Sequence, residues 1–377
     1  MGVPNDLAAP APGAETDVSP PRSRPVPFPL SWMLMPLLAA PVVSPTATRR
    51  DAPEPWPATG FQRGAVLSSW DGTYPNREAW TSALDRLGRL GVQWIEVLTF
   101  AEQPDIEQPR IVPESAERWP AAFVDAARAR GFRIFLKPDV WSRQFYTPGS
   151  KLWRGSIKMR TDAEWTAWFD EYERFIVAEA RHAAAHGIEM FSIGLEYVEI
   201  TRTEGARWRS LIGEVRKVYS GLLTYSADGN HEMEHVTFWD ALDVIGVNAY
   251  FAMSEADAPS RTELLMGMTG PMARMGALSK RFSRPIVLTE VGVPSVVGAA
   301  RTPWRWPQAT DLPDEALQAR VYEALLAQCT AQPFCRGLYW WKFYEVPERH
   351  IPESLDYTPE GKPAADVLRA WYASPER

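Results

Sequence analysis

From Phe61 onward the apolar positions change period repeatedly, from short continuous runs to a spacing near 3.6 residues and back. The short runs, rich in Val, Ile, Leu and aromatic residues, predict strands at 64–69, 93–98, 132–137, 189–196, 222–226, 244–247, 286–289 and 337–341. Between them lie helical patterns. Asn76 is placed to cap a helix that puts Trp80, Leu84, Leu87 and Leu90 on one face before Gly91 stops it. Further helices are predicted over 119–130, after a Thr161/Glu164 capping box, around Trp208 to Tyr219, and over 263–280, 314–329 and 363–372. The connection after the fifth strand is the weakest, with only 238–242 available for a short helix.

Eight strand and helix alternations in one stretch predict an α/β fold of the (β/α)8 TIM-barrel type. A doubly wound open sheet also alternates, but it brings a glycine-rich phosphate loop after its first strand. Here that turn is Ser69-Trp70-Asp71-Gly72-Thr73-Tyr74. Residues 1–57 follow neither period and are dominated by Pro, Ala and Ser, so we expect a disordered N-terminal extension ahead of a barrel spanning 58–377. Within the extension, Arg22 and Arg24 precede an apolar stretch over 28–43, the layout of a secretory signal. Pro36 and Pro41 interrupt it too soon for a membrane span. The expected location is outside the cell or in its envelope; a cytoplasmic enzyme with a disordered tail is the alternative.

Two of the predicted strands end in a carboxylate: Ile193-Gly194-Leu195-Glu196 and Leu288-Thr289-Glu290-Val291-Gly292. In a parallel barrel all strand C-termini share one face, so Glu196 and Glu290 can converge on one pocket. Hydrolysis of a glycosidic bond needs such a pair. The formal net charge of −7, with acidic residues spread along the chain, argues against nucleic acid as a partner and suits a neutral substrate such as a carbohydrate. Tryptophan is abundant, 17 of 377 residues, and flat rings in a cleft pack against sugar C–H faces, although most are expected in the core. Trp70, Trp141, Trp304 and Trp306 lie in candidate strand-to-helix loops, as sugar platforms or as loop packing. Lys137 and Asp139 end the third strand, to hydrogen-bond sugar hydroxyls or the carboxylates, or to pair with each other. Glu199 is a weaker rival to Glu196.

His231-Glu232-Met233-Glu234-His235 matches the H-E-x-x-H spacing of zinc peptidases, but it follows a loop composition and lacks the long apolar helix that carries such ligands. We therefore expect no metal and no cofactor. His182 and His186 fall on the Ala-rich end of a helix and read as surface or packing residues. Cys329 and Cys335 suit either a small disulfide or two buried thiols. Nothing in the pattern specifies an oligomeric state.

Taken together, Phe61-Gln62-Arg63-Gly64, Leu136-Lys137-Pro138, Ile193-Gly194-Leu195-Glu196, Leu223-Thr224-Tyr225, Phe238-Trp239-Asp240, the run from Asp243 to Phe251, Leu288-Thr289-Glu290-Val291-Gly292, Pro303-Trp304 and the run from Tyr357 to Ala364 resemble glycoside hydrolase family 113. The resemblance runs from about Phe61 to Tyr372. It implies a retaining (β/α)8 glycosidase of the β-mannanase kind, acting on mannan or glucomannan. Matched motif by motif, it implies Glu196 as acid/base, Glu290 as nucleophile, Tyr250 beside the nucleophile, and Trp340 or Trp341 as a floor for the reacting sugar. Glu290 would be held ionised by Tyr250, Lys137 or Arg63. Two positions depart from the pattern: Leu195 stands where the wider clan often has Asn, and Asp139 where mannanase members are expected to have His. The other classes considered are a metal-dependent hydrolase on the same barrel and a carbohydrate-binding barrel without catalysis.

Overall fold

The computed structural model describes residues 60–68, 77–114, 119, 121–345 and 352–373. The expected N-terminal extension, its signal-like stretch and Trp70 lie outside the described residues.

Among the described residues nine strands form one sheet: β1 (Gln62–Leu67), β2 (Trp94–Glu102), β3 (Val112–Pro113), β4 (Arg133–Trp141), β5 (Met190–Leu195), β6 (Leu222–Asp228), β7 (Ile245–Asn248), β8 (Ile286–Val291) and β9 (Cys335–Phe343). Eight are parallel, and β1 pairs with both β9 and β2, which closes the barrel. The two-residue β3 lies antiparallel on the end of β2. Helices α1 (Arg77–Arg89), α2 (Ala121–Arg128), α3 (Asp162–Ala185), α4 (Val198–Thr203), α5 (Gly205–Val218), α6 (Arg261–Gly267), α7 (Thr269–Phe282), α8 (Glu315–Thr330) and α9 (Pro363–Tyr372) fill the connections. The chain is thus a TIM barrel. No helix among the described residues is long and apolar enough to cross a membrane.

Local chemistry accounts for several boundaries. Thr161 and Glu164 form the expected capping box at the start of α3. The connection after β6 carries only a 3-10 turn at Trp239–Ala241. Three elements differ from the sequence reading. Strand β4 runs on past Pro138, because its pairing with β5 has ended by Leu136 and one side of the strand no longer requires a donor. Strand β2 continues to Glu102 in register with β4. The single helix expected over 263–280 is two helices: a Cβ at Gly267 would lie 1.9 Å from the Met253 carbonyl, and Pro271 in the first turn of α7 lacks an amide donor.

Side chains alternate between the barrel interior and the helix layer. In that layer a group of rings from α3, α5 and the 3-10 turn, Trp168, Tyr172, Trp208 and Phe238, surrounds Tyr197 and Tyr225. Many of the tryptophans are core, as expected, including Trp119, Trp168, Trp208, Trp239 and Trp340, each at most 1% exposed. Cys329 and Cys335 form a disulfide that joins the end of α8 to the start of β9, with Cα atoms 5.4 Å apart.

Candidate active site

The C-terminal ends of four barrel strands bring a set of polar side chains to one face. Glu196 follows β5, Asn248 ends β7, Glu290 lies near the end of β8, and Lys137 and Asp139 lie near the end of β4. All five are buried, Lys137 completely and Glu196 and Glu290 each 7% exposed. Charges so nearly removed from water must be compensated, and here each has named partners.

Glu290 is approached from two sides. Tyr250 donates its hydroxyl to Glu290 Oε2 at 2.9 Å, and Lys137 Nζ contacts Glu290 Oε1. Lys137 also contacts Glu96 Oε1, from β2, so one ammonium lies between two carboxyl groups. Burial works against the charge on Lys137, but Glu290 and Glu96 outweigh it and raise its pKa above the ordinary value. Burial pushes the Glu96 carboxyl up to about 8, with Lys137 opposing and Glu290 adding to the rise.

Glu196 has a different environment. Asn248 Nδ2 donates to its Oε1 at 2.8 Å, and the Thr289 hydroxyl donates to Asn248 Oδ1 at 2.9 Å, which turns the amide donor toward Glu196. Arg154 Nη1 donates to Glu196 Oε2 at 2.9 Å. The same guanidinium clamps Asp139 through Nε at 3.1 Å and Nη2 at 2.8 Å. Burial, and the charges of Glu290 and Asp228, push the Glu196 carboxyl up to about 7 against the pull of Arg154 and Asn248. The backbone at Glu196 is left-handed, with φ of 51°, a conformation that costs a non-glycine residue about 1–2 kcal/mol. Such strain persists only where surrounding contacts hold it.

One buried carboxyl with a raised pKa near a second that carries two donors is an arrangement able to donate a proton at one point and supply an anion at another. A family model for glycoside hydrolase family 113 matches residues 66–362. The chain belongs to this family. Solved members of the family are also similar in shape: a structure described as a GH113 β-1,4-mannanase complex is 27% identical, covers 84% of this chain and 99% of its own, and superposes with a TM-score of 0.71. The GH113 β-mannanase of Alicyclobacillus acidocaldarius, solved with ManMIm, is 26% identical over 84% of this chain and 98% of its own, with a TM-score of 0.70. The Faecalibacterium prausnitzii β-glucuronidase, 12% identical with a TM-score of 0.56 over 83% of this chain and 49% of its own, shares the fold. No curated relative matches the sequence. The protein is therefore a glycoside hydrolase, and its substrate a carbohydrate.

Within that family frame the remaining candidates divide. Lys137 and Asp139 are 0% and 1% exposed, so they reach the carboxylates and Arg154 and not an open cleft. Arg63, expected as a partner of Glu290, instead donates to the Tyr372 carbonyl of α9. Trp340 faces the helix layer, stacked on Tyr322 at 3.7 Å and donating to the Tyr372 hydroxyl at 3.0 Å, so strand alternation leaves Trp341 for the barrel interior. Gly292 lets β9 come close, since a Cβ there would lie 2.6 Å from the Trp341 carbonyl. Trp141 is half-buried and donates to Glu114 at 2.6 Å. Trp304 is half-buried in the loop after β8, and Trp306 packs edge-on against Tyr357, whose hydroxyl donates to the Pro303 carbonyl at 2.6 Å. Glu199 is exposed on α4 and pairs with Arg202.

The sequence reading missed Glu96, Arg154 and Asn248. Glu96 had a signal, a lone charge within Trp94-Ile95-Glu96-Val97-Leu98, as did Asn248, a polar residue closing an apolar strand. Arg154 had none, since it reaches the site from a 3-10 turn in a long loop. The H-E-x-x-H segment forms turns, with His231 and His235 exposed while Glu232 is buried under Tyr225 and Thr201.

Proposed function

We propose that the protein hydrolyses β-1,4-mannan or glucomannan with retention of configuration, using Glu290 as nucleophile and Glu196 as acid/base. The observation that carries this reading is the contrast between the two carboxyl groups: Glu290 faces a hydroxyl donor and an ammonium, whereas Glu196 is pushed up to about 7. In the first step Glu290 attacks the anomeric carbon as Glu196 passes its proton to the departing glycosidic oxygen, leaving a glycosyl ester on Glu290. Esterification removes the Glu290 charge, one of the influences that raise Glu196, so Glu196 becomes better able to remain an anion. It then takes a proton from water, the water oxygen bonds to the anomeric carbon, and Glu290 leaves as a carboxylate. Glu196 ends protonated, as it began.

The manno preference is supported by the two mannanases above, each aligned over nearly its whole length. Leu195, 1% exposed, and Asp139, locked by Arg154, are the positions where this chain departs from the pattern and where a shifted preference would originate. The test is hydrolysis of β-linked manno, gluco, xylo and galacto oligosaccharides by the intact protein, with the anomer of the first product followed by NMR and Glu290→Ala as control. Cleavage of the manno series to the β-anomer, absent in the control, is expected. Release of the α-anomer, or full activity in Glu290→Ala, would overturn the mechanism, and cleavage of another series only would overturn the sugar assignment.

A further inference from the structure

Glu232 belongs to the one motif of the sequence that the hydrolytic site does not absorb. Its carboxyl is fully buried and accepts three hydrogen bonds: from the Tyr225 hydroxyl at 2.5 Å, the Thr201 hydroxyl at 2.8 Å and the Asp228 amide at 2.9 Å. The Tyr225 hydroxyl in turn accepts from the Tyr197 amide at 2.7 Å. That amide belongs to the peptide that immediately follows Glu196, the residue with a left-handed backbone at φ of 51°. On its other side the Glu196 amide donates to the Ser226 carbonyl at 2.9 Å. The turn that aims the Glu196 side chain is therefore tied to β6 at both of its peptides, and one tie ends on Glu232. Thr201 anchors α4, the helix that begins just after the turn, to the same carboxyl.

We propose that Glu232 is a positioning residue for Glu196, acting through the Tyr225 hydroxyl on the Tyr197 peptide. The proposal rests on the reading of Glu196 as proton donor. A side chain held in a left-handed turn relaxes when its ties are cut, and a proton donor displaced by a fraction of an ångström loses alignment with the leaving oxygen. Glu232 touches no substrate in this account; its effect is confined to the step in which the leaving group takes a proton.

This makes the leaving group the discriminating variable. A phenyl glycoside needs its departing oxygen protonated, whereas a 2,4-dinitrophenyl glycoside departs as a stable anion. The ratio of kcat/KM for phenyl over 2,4-dinitrophenyl β-mannobioside, or β-cellobioside if the oligosaccharide panel selects gluco, is measured for the wild type, Tyr225→Phe, Glu232→Ala, Glu232→Gln and Glu196→Ala. Displacing the acid without removing it forfeits part of the roughly 10²–10⁴-fold that general acid catalysis contributes, so the ratio is expected to fall about tenfold in Tyr225→Phe and Glu232→Ala, with KM little changed. Glu232→Gln keeps an oxygen for Tyr225 and Thr201 and is expected to retain a ratio near that of the wild type. Equal losses on both substrates would reduce Glu232 to a fold-supporting residue and overturn the proposal, as would a wild-type ratio in both Tyr225→Phe and Glu232→Ala. An unchanged ratio in Glu196→Ala would instead overturn the assignment of Glu196, and the proposal with it.

Discussion

Replacing Lys137 by Met removes the side chain that bridges Glu96 and Glu290 and leaves two buried carboxyl groups facing each other without a cation between them. The side chains of Lys137 and Glu96 are 0% exposed and that of Glu290 is 9% exposed, so solvent cannot take over the screening. Removing one partner of a buried ion pair costs about 3–5 kcal/mol. At about 2–4 °C per kcal/mol for larger domains, Tm is expected to fall on the order of 10 °C. The loss depends on pH with a definite sign. The Glu96 carboxyl is raised to about 8 in the folded chain against an ordinary 4.5. A raised folded pKa means that the folded chain holds its proton more tightly, so its stabilising effect is complete below about 4.5 and disappears as pH rises through about 8. Without Lys137 no cation offsets the charges of this pair, and the penalty of ionising it grows over that same window. Thermal unfolding of wild type and Lys137→Met, followed by circular dichroism at pH 5 and pH 8, should show a small difference at the lower pH and the full difference at the higher. Equal Tm differences at both pH values, or a drop of less than about 2 °C at pH 8, would refute the view that this lysine compensates buried negative charge.

Two further outcomes concern Glu196. Because its carboxyl is pushed up to about 7 and the proposed acid role requires it protonated, kcat/KM on oligosaccharides should fall as pH rises through about 7, and Glu196→Gln should lose roughly 10²–10⁴-fold together with that limb of the profile. Arg154→Met removes a cation that lowers the Glu196 pKa, so the same limb should move to higher pH; a pH–rate profile with an unmoved limb would show that Arg154 serves only to hold Asp139.

The strands, most helices and the placement of Glu196 and Glu290 at strand ends were legible because each rests on local information: period, capping residues and the charge that closes an apolar run. The elements that differed were decided by neighbours. Pro138 reads as a stop in one dimension, and only the loss of pairing with β5 explains why β4 continues through it. Gly267 reads as an ordinary helical glycine, and only the fold shows that the Met253 carbonyl beside it leaves no room for a Cβ. Trp340 and Trp341 are indistinguishable as neighbours in sequence; the rings of Tyr322 and Tyr372 claim the first.

What the sequence by itself determined is the barrel, the family and the two carboxylates at the C-terminal ends of its strands, since periodicity and strand-end chemistry are properties of short stretches. What only the tertiary structure decided is how those carboxylates differ. Lys137 and Glu96 come from separate strands, Arg154 from a loop and Asn248 from β7, two strands away from β5, and each lies far along the chain from the group it touches. A proton's affinity for a carboxyl is set by burial and by charges within a few ångströms, quantities that exist only after the chain has closed on itself.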